Sequence, residues 1–99
     1  MSQDLSTQVR DEPQRHRFAL DVDGATAFAT YARAGAVITV LHAEVPEALG
    51  GRGVGSALVK GALALARARG DKVVPLCPFV ASYIARHPEE QDLLRDGPG

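Results

Sequence analysis

The stretch VPEALGGRGVGSALVKGALALA, residues 45–66, places four glycines within six positions, directly before a run of apolar residues with helical spacing. Glycine has no Cβ, so a glycine-rich segment lets another molecule approach its backbone closely. The first N–H groups of a helix have no partner inside the helix, and the helix dipole places partial positive charge at that end. The stretch therefore predicts a loop that holds an anion such as a phosphate.

The residues after the loop have the period of an amphipathic helix. Val54, Leu58, Gly61 and Leu65 fall on one stripe, which predicts a helix that begins at Val54 and packs this stripe against a core. Gly70 predicts the end of that helix, because glycine readily adopts the left-handed conformation that follows a helical C-terminus.

The segment before the loop has the pattern of antiparallel strands. Apolar residues alternate over residues 18–22, and Asp23 with Gly24 is a strong hairpin signal. Residues 37–45 are rich in β-branched residues and apolar on both faces, which is typical of a central strand covered on both sides. The simplest interpretation is a meander of three antiparallel strands.

Two further elements follow the helix. KVVPLC, residues 72–77, is short and β-branched and predicts a fourth strand. Because a helix separates it from the third strand, the crossover makes these two strands parallel. PFVASYIARHP, residues 78–88, begins and ends with proline and predicts a second short helix. The predicted fold class is α/β, with an antiparallel meander followed by helix, parallel strand and helix.

The composition is that of an ordinary globular protein. The chain has 99 residues, 45% of them hydrophobic and 23% charged, with a net charge of -1. This length fits one small domain, and the scattered basic residues do not predict a nucleic-acid partner. The apolar runs are much shorter than the roughly 20 residues of a membrane span, and the N-terminus is polar, so a cytoplasmic protein without membrane contact is expected.

The ends of the chain differ from its middle. Residues 1–14 lack an apolar period and are predicted to form a disordered N-terminal arm. Residues 15–95 are predicted to form the folded domain, and residues 96–99 a C-terminal tail. The single cysteine, Cys77, cannot form an internal disulfide or, by itself, a structural zinc site, and no metal site is predicted.

Other phosphate-binding motifs fit the glycines less well. A P-loop has a lysine before its Ser or Thr, and no lysine precedes Ser56. A Rossmann fingerprint requires an acidic residue at the end of the next strand, where this chain has Leu76 and Cys77. The glycines can also serve only a tight turn and close helix packing.

Placed after a strand that ends in EVP, the loop resembles the GNAT acetyltransferase superfamily. Its signature is Gln or Arg, two residues, Gly, one residue, then Gly or Ala, and Gly53 and Gly55 occupy the two small positions. Gly50 stands at the first position, a departure for which Arg52 can compensate. HAEVPEALGGRGVGSALVKGAL and VVPLCPFVASYIARHPE resemble the small single-domain, minimal GNAT-like subgroup over about residues 17–94. The resemblance implies a shortened GNAT fold without the two early helices.

The resemblance also implies acetyl-CoA as cofactor and an amine as acceptor. The pantetheine arm would pair with the backbone of Val45, and the pyrophosphate would meet the loop, with Cys77 and Tyr83 beside the thioester. The expected cofactor-binding residues are Val45, Gly50, Gly51, Arg52, Gly53, Val54, Gly55, Ser56, Cys77 and Tyr83.

Acetyl transfer to an amine requires a base for the amine and a proton for the departing thiolate. Strand alternation predicts that His42 and Glu44 share a face with Ile38 and Val40, and either can act as base; each is otherwise a surface or hydrogen-bonded structural group. Tyr83 matches the family's tyrosine, whose hydroxyl faces the sulfur, and is otherwise a core aromatic.

Cys77 has two interpretations. It is either a nucleophile that carries the acetyl group or a small wall of the CoA tunnel, and we favour the wall because no Cys–His spacing here is diagnostic. His87 is interpreted as a helix-end residue beside the last carbonyls.

The sequence thus predicts an N-acetyltransferase that moves an acetyl group directly to a small-molecule amine, a protein lysine or an N-terminus. The alternative is a CoA-binding or protein-interaction module with little or no catalysis. The oligomeric state stays open between a monomer and a weak dimer.

Overall fold

The computed structural model describes residues 4–95 as a five-stranded sheet with two α-helices. The strands are β1 (Arg10–Glu12), β2 (Arg17–Val22), β3 (Ala25–Ala34), β4 (Val37–Glu44) and β5 (Lys72–Pro75), and the helices are α1 (Val54–Arg69) and α2 (Pro78–Arg86). Short 3-10 turns cover Leu5–Gln8, Pro13–Arg15, Glu47–Leu49 and Pro88–Leu93.

The spatial order of the strands is their order along the chain, β1-β2-β3-β4-β5. The first four strands pair antiparallel, and β5 pairs parallel to β4 after the crossover through α1. Asp23 and Gly24 adopt left-handed φ values of 50° and 82° in the β2–β3 turn, as the hairpin signal predicts. The α/β fold class and the parallel fourth predicted strand are confirmed.

The N-terminal segment differs from its prediction. A disordered arm over residues 1–14 is wrong for residues 4–14, which carry a 3-10 turn and the edge strand β1; residues 1–3 lie outside the described part of the chain, as do residues 96–99 of the predicted tail. The meander therefore has four antiparallel strands, and the sheet begins before residue 15. Strand β1 is a short edge strand that pairs only with β2, and none of its three side chains is fully buried. Its sequence therefore has no apolar period.

Both helices pack on the same face of the sheet. Residues of α1 and α2 share one buried cluster with the strand residues Ile38, Val40 and Val73. The opposite face carries Phe28 and Thr30, which are only half-buried. The prediction that residues 37–45 form a strand covered on both sides is therefore wrong, because the helices cover only the face that carries Ile38 and Val40, and Leu41 is 47% exposed.

Helix α1 begins and ends at its glycines. Gly53 is the N-cap residue with a φ of 72°, and Gly70 is the C-cap residue with a φ of 75°, whose N–H donates to the carbonyls of Ala66 and Arg67. Within residues 4–95 no α-helix precedes Val54, which agrees with the expected loss of the early helices. No helix of this described range is long and apolar enough to cross a bilayer.

Candidate functional site

Strands β4 and β5 separate part of the way along β4. Their pairing ends where Val40 lies opposite Pro75, and the N–H groups of Leu76 and Cys77 both donate to the Val40 carbonyl at 3.0 Å. On its other edge β4 stays paired with β3 as far as Glu44. The backbone of residues 41–44 therefore presents an edge to which β5 adds no ladder hydrogen bonds, and such an edge can pair with an extended ligand.

The glycine loop turns the chain from β4 into α1. Gly51 and Gly53 have φ values of 76° and 72°, a region that residues with a side chain rarely adopt. Gly53 caps α1 without a side-chain hydrogen bond to the first turn, so the amides of the first helical residues have no side-chain acceptor at the cap. The first helical bond runs from the Ala57 N–H to the Gly53 carbonyl at 3.0 Å. The glycine-rich helix start that the sequence predicts is therefore present, and the free amides of a helix start are suited to binding an anion.

The loop and Val45, the residue that follows β4, border one open cleft of about 300 Å³. It is lined by Val45, Leu49, Gly50, Gly51, Gly53, Val54, Gly55, Ser56 and Phe79. Seven of the ten residues expected to hold the cofactor thus lie together, while Arg52, Cys77 and Tyr83 do not line this cleft. Leu49 and Phe79 were missed, because an apolar residue in a turn and one at a helix start have no signal beyond packing.

Phe79 explains why residue 55 is a glycine. A Cβ on Gly55 would lie 2.9 Å from Cζ of Phe79 and 3.4 Å from Cγ2 of Val45. The Phe79 ring contacts the start of α1 at Gly55. The ring also lines the cleft, and Phe79 remains 41% exposed. Gly55 thus provides the room in which the aromatic ring of α2 contacts the start of α1.

His42 and Glu44 lie on the face of β4 opposite to the one predicted. A bulge near Leu41 shifts the register, so that Val40 faces Tyr31 but His42 faces Thr30. The extra residue reverses the alternation, which turns His42 and Glu44 away from the core face that carries Val40. Single-sequence alternation cannot detect a bulge, and the shared face with Ile38 and Val40 is therefore wrong.

The two side chains nevertheless form a pair. Nε2 of His42 lies 3.2 Å from Oε1 of Glu44, and both side chains are about three-fifths exposed, at 59% and 61%. They stand on the part of β4 that extends beyond its pairing with β5. The pair is therefore accessible from solvent on the part of β4 beyond the point where β4 and β5 separate.

Cys77 lies at the start of α2, where the parted strand β5 leaves the sheet. It is 4% exposed and belongs to the buried cluster, and its carbonyl accepts the Ala81 N–H at 3.0 Å. Cys77 lies where β4 and β5 separate, as expected. Its burial is typical of a packed wall residue.

Tyr83 is a core aromatic residue of α2. It is 4% exposed and stacks on the His87 ring, with centroids 3.9 Å apart and an interplanar angle of 13°. Burial, followed by the nearby charge of Glu90, raises the pKa of the Tyr83 hydroxyl. Nδ1 of His87 donates to the Tyr83 carbonyl at 2.7 Å, which confirms the interpretation of His87 as a helix-end residue.

Arg52 forms an ion pair with the neighbouring hairpin. Its Nη1 lies 2.7 Å from Oδ2 of Asp23 in the β2–β3 turn, and the two side chains are 49% and 68% exposed. The guanidinium is therefore paired with a carboxylate of the neighbouring hairpin. Within residues 4–95, no group of three or more potential metal ligands is found.

The sheet, the parted strands and the glycine loop define a class of protein, the acyltransferases of the GNAT type. Residues 17–93 match the family model of the GCN5-related N-acetyltransferases. The chain belongs to this family.

One solved structure with the same fold is the solution NMR structure of a GCN5-like protein from Staphylococcus aureus, described as a candidate N-acetyltransferase. The TM-score is 0.67 at 26% sequence identity, and the alignment covers 90% of this chain and 88% of that chain. Comparison with curated protein sequences gives no significant match.

Proposed function

We propose that the chain binds acetyl-CoA in the cleft between the glycine loop and the end of β4, and transfers the acetyl group to an amine. One observation carries the proposal: the helix start with left-handed Gly51 and Gly53 borders the same cleft as Val45, the residue that directly follows β4. A phosphate at the helix start and an extended arm along the unpaired strand edge are the two parts of CoA that such a cleft fits.

The reaction forms a C–N bond to the thioester carbonyl and breaks the C–S bond, so that the amine loses a proton and the thiolate gains one. Glu44 and His42 are proposed to accept the proton of the incoming amine, because they stand in solvent contact where β4 extends beyond β5. Tyr83 stays the predicted proton donor, and the raised pKa of its hydroxyl keeps it protonated at neutral pH.

Cys77 is proposed to act as a wall of the cofactor site in a direct transfer. Its side chain is packed within the buried cluster, whereas a nucleophile in a two-step mechanism needs exposure to the thioester. The cytoplasmic location, the lack of a nucleic-acid partner and the monomer or weak-dimer state stay predictions.

The alternative, a CoA-binding module without catalysis, is supported by one feature. None of the four residues expected to act in catalysis, His42, Glu44, Cys77 and Tyr83, lines the cleft. The two functions differ in whether CoA is released when an amine is present.

The test measures CoA release from acetyl-CoA with a panel of small amines, lysine peptides and free N-termini. We expect turnover with at least one acceptor, and a loss of about a hundredfold in kcat/KM for Glu44→Gln, as for a general base. Glu47→Gln, the same exchange at an exposed carboxylate of the neighbouring turn, should retain the wild-type rate. Binding of acetyl-CoA without release by any acceptor would establish the module instead.

A further inference from the structure

The cleft itself provides no positive charge for a phosphate. None of its nine lining residues in the described chain is basic. Backbone amides at a helix start carry only partial charge, whereas a pyrophosphate carries full negative charges. A basic side chain next to the lining residues would add the full positive charge that the cleft lacks.

Arg52 is the basic side chain closest to the lining residues along the chain. It lies between Gly51 and Gly53, which both line the cleft, so its backbone is already at the site. Its guanidinium is engaged by Asp23, with 2.7 Å between Nη1 and Oδ2. The cation and the anion-binding amides are thus on the same loop, but the cation is paired with another residue.

The Arg52–Asp23 ion pair is suited to exchange. Both side chains are about half-exposed or more, at 49% and 68%, and exposed ion pairs of this kind contribute little to stability. Both partners are also held by defined turns, because Asp23 has a φ of 50° and the glycines beside Arg52 have φ values above 70°. A carboxylate oxygen on a guanidinium has the same contact chemistry as a phosphate oxygen.

We propose that Asp23 is an internal substitute for the CoA pyrophosphate: it holds Arg52 in the empty protein and competes with the pyrophosphate for the same guanidinium. The proposal rests on the proposed function, since it requires that CoA binds in this cleft. The β2–β3 turn then controls the affinity for the cofactor, although this turn does not line the cleft.

The proposal predicts effects of opposite sign for the two partners. Asp23→Asn removes the competing charge and should tighten CoA binding about two- to fivefold, the range expected for an exposed ion pair. Arg52→Gln should weaken it about tenfold or more, because a charge-assisted contact is lost. In the Arg52→Gln background, the Asp23→Asn exchange should have no further effect.

The experiment is calorimetric titration of CoA, dephospho-CoA and pantetheine into wild type, both single variants and the double variant. Asp21→Asn is the matched control, since Asp21 lies in the same hairpin but pairs with Arg10. The gain for Asp23→Asn should persist with dephospho-CoA, which keeps the pyrophosphate, and vanish with pantetheine. Thermal unfolding of each variant checks that the fold is retained.

Unchanged or weaker CoA binding by Asp23→Asn would overturn the proposal, as would a gain that depends on the 3′-phosphate or an equal gain for Asp21→Asn. Each of these results leaves the proposed function intact if the wild type binds CoA. Failure of the wild-type protein to bind CoA would remove both.

Discussion

At the scale of single residues, the glycines of the loop have different physical roles. Gly51 and Gly53 are required by their backbone conformation, because a Cβ at either would meet no atom within 4 Å but would be strained by a positive φ. Gly55 is required by space, because the ring of Phe79 occupies the position that a Cβ would approach. Gly50 has an extended backbone with a φ of -61°, which residues with a side chain also adopt.

The role of Gly55 gives a prediction about cofactor binding. A methyl group in Gly55→Ala would lie 2.9 Å from Phe79 Cζ and displace the ring toward the cleft. We expect acetyl-CoA affinity to fall about five- to tenfold, because a side chain enters the cleft that the cofactor fills. In the Phe79→Ala background the same exchange should have almost no effect, as a double-mutant cycle by calorimetry would show. An equal loss in both backgrounds would contradict the assigned contact.

At the scale of elements, the N-terminal 3-10 turn depends on a glycine of α1. A Cβ on Gly61 would approach the Ser6 carbonyl oxygen and the side chain of Val9, both of which pack directly on the helix at this position. The buried polar Ser6 is held by Asp4, whose carboxylate accepts hydrogen bonds from the Ser6 N–H and hydroxyl at 3.0 and 2.7 Å. The N-terminal turn is therefore a packed element of the fold.

Gly61→Ala tests this packing. Helix propensity alone would stabilise the protein by about 1 kcal/mol, whereas the clash with the Ser6 backbone costs about 1–3 kcal/mol. Because a backbone atom cannot move aside as a flexible side chain can, we expect a net loss of stability in urea unfolding. Ala64→Gly, at an exposed position of the same helix, calibrates the propensity term. A more stable Gly61→Ala protein would show that the turn does not pack there.

The same turn should respond to acid. Hydrogen bonds from Ser6, followed by the ion pair with Lys60, lower the pKa of Asp4 from its ordinary 3.8 to about 2. A lowered carboxyl pKa adds stability that is complete above the unfolded pKa and is lost as the pH falls through the folded pKa. Proton NMR of the Ser6 amide should therefore show a transition near pH 2, and a transition near pH 4 would contradict the hydrogen bonds.

The sequence predicted the elements that have a strong period, and it missed those that depend on tertiary contacts. The hairpin at Asp23 and the helix from Val54 followed from local backbone preferences and apolar spacing. Strand β1 and the N-terminal turn have no such signal, since they are held by pairing to β2 and by packing on Gly61. The bulge in β4 reverses the predicted orientation of the His42 side chain. Neither composition nor alternation marks the extra residue of a bulge, so the sequence could not predict this reversal.

At the scale of the whole molecule, a hydrogen-bonded chain joins three elements across one side of the sheet. The Tyr31 hydroxyl of β3 donates to Asp11 of β1, and Asp11 also accepts from Arg69 of α1 at 2.6 Å. Burial, followed by the Asp11 hydrogen bond, raises the pKa of Tyr31 to about 12. The protonated phenol therefore stabilises the folded state.

Tyr31→Phe removes the phenol from this chain. We expect a loss of about 1 kcal/mol at neutral pH, the net contribution of one hydrogen bond. A raised tyrosine pKa adds stability that is present below the unfolded pKa near 10 and is lost as the pH rises through about 12. The stability difference between wild type and variant, measured by urea unfolding, should therefore shrink over this interval. A difference that stays constant would contradict the raised pKa of the Tyr31 hydroxyl.

The part of the candidate cleft that the sequence predicted is the part formed by neighbouring residues of the chain. The glycine loop and Val45 are contiguous in sequence, so the cleft they line could be located before the fold was known. Phe79 and the Asp23 partner of Arg52 come from elements distant in the chain, and their contacts follow only from how the hairpin and α2 pack around α1.

Titration of acetyl-CoA into wild type, Gly53→Val and Gly35→Val tests the central claim most directly, that the loop at the start of α1 binds the cofactor. Gly35 is the matched control, because it also has a positive φ, 59° against 72° for Gly53, and open space around its Cβ position, but lies in the β3–β4 turn. We predict that wild type and Gly35→Val bind acetyl-CoA alike and that Gly53→Val, although folded, loses at least about tenfold in affinity. Equal binding by Gly53→Val, or no binding by the wild type, would contradict the account.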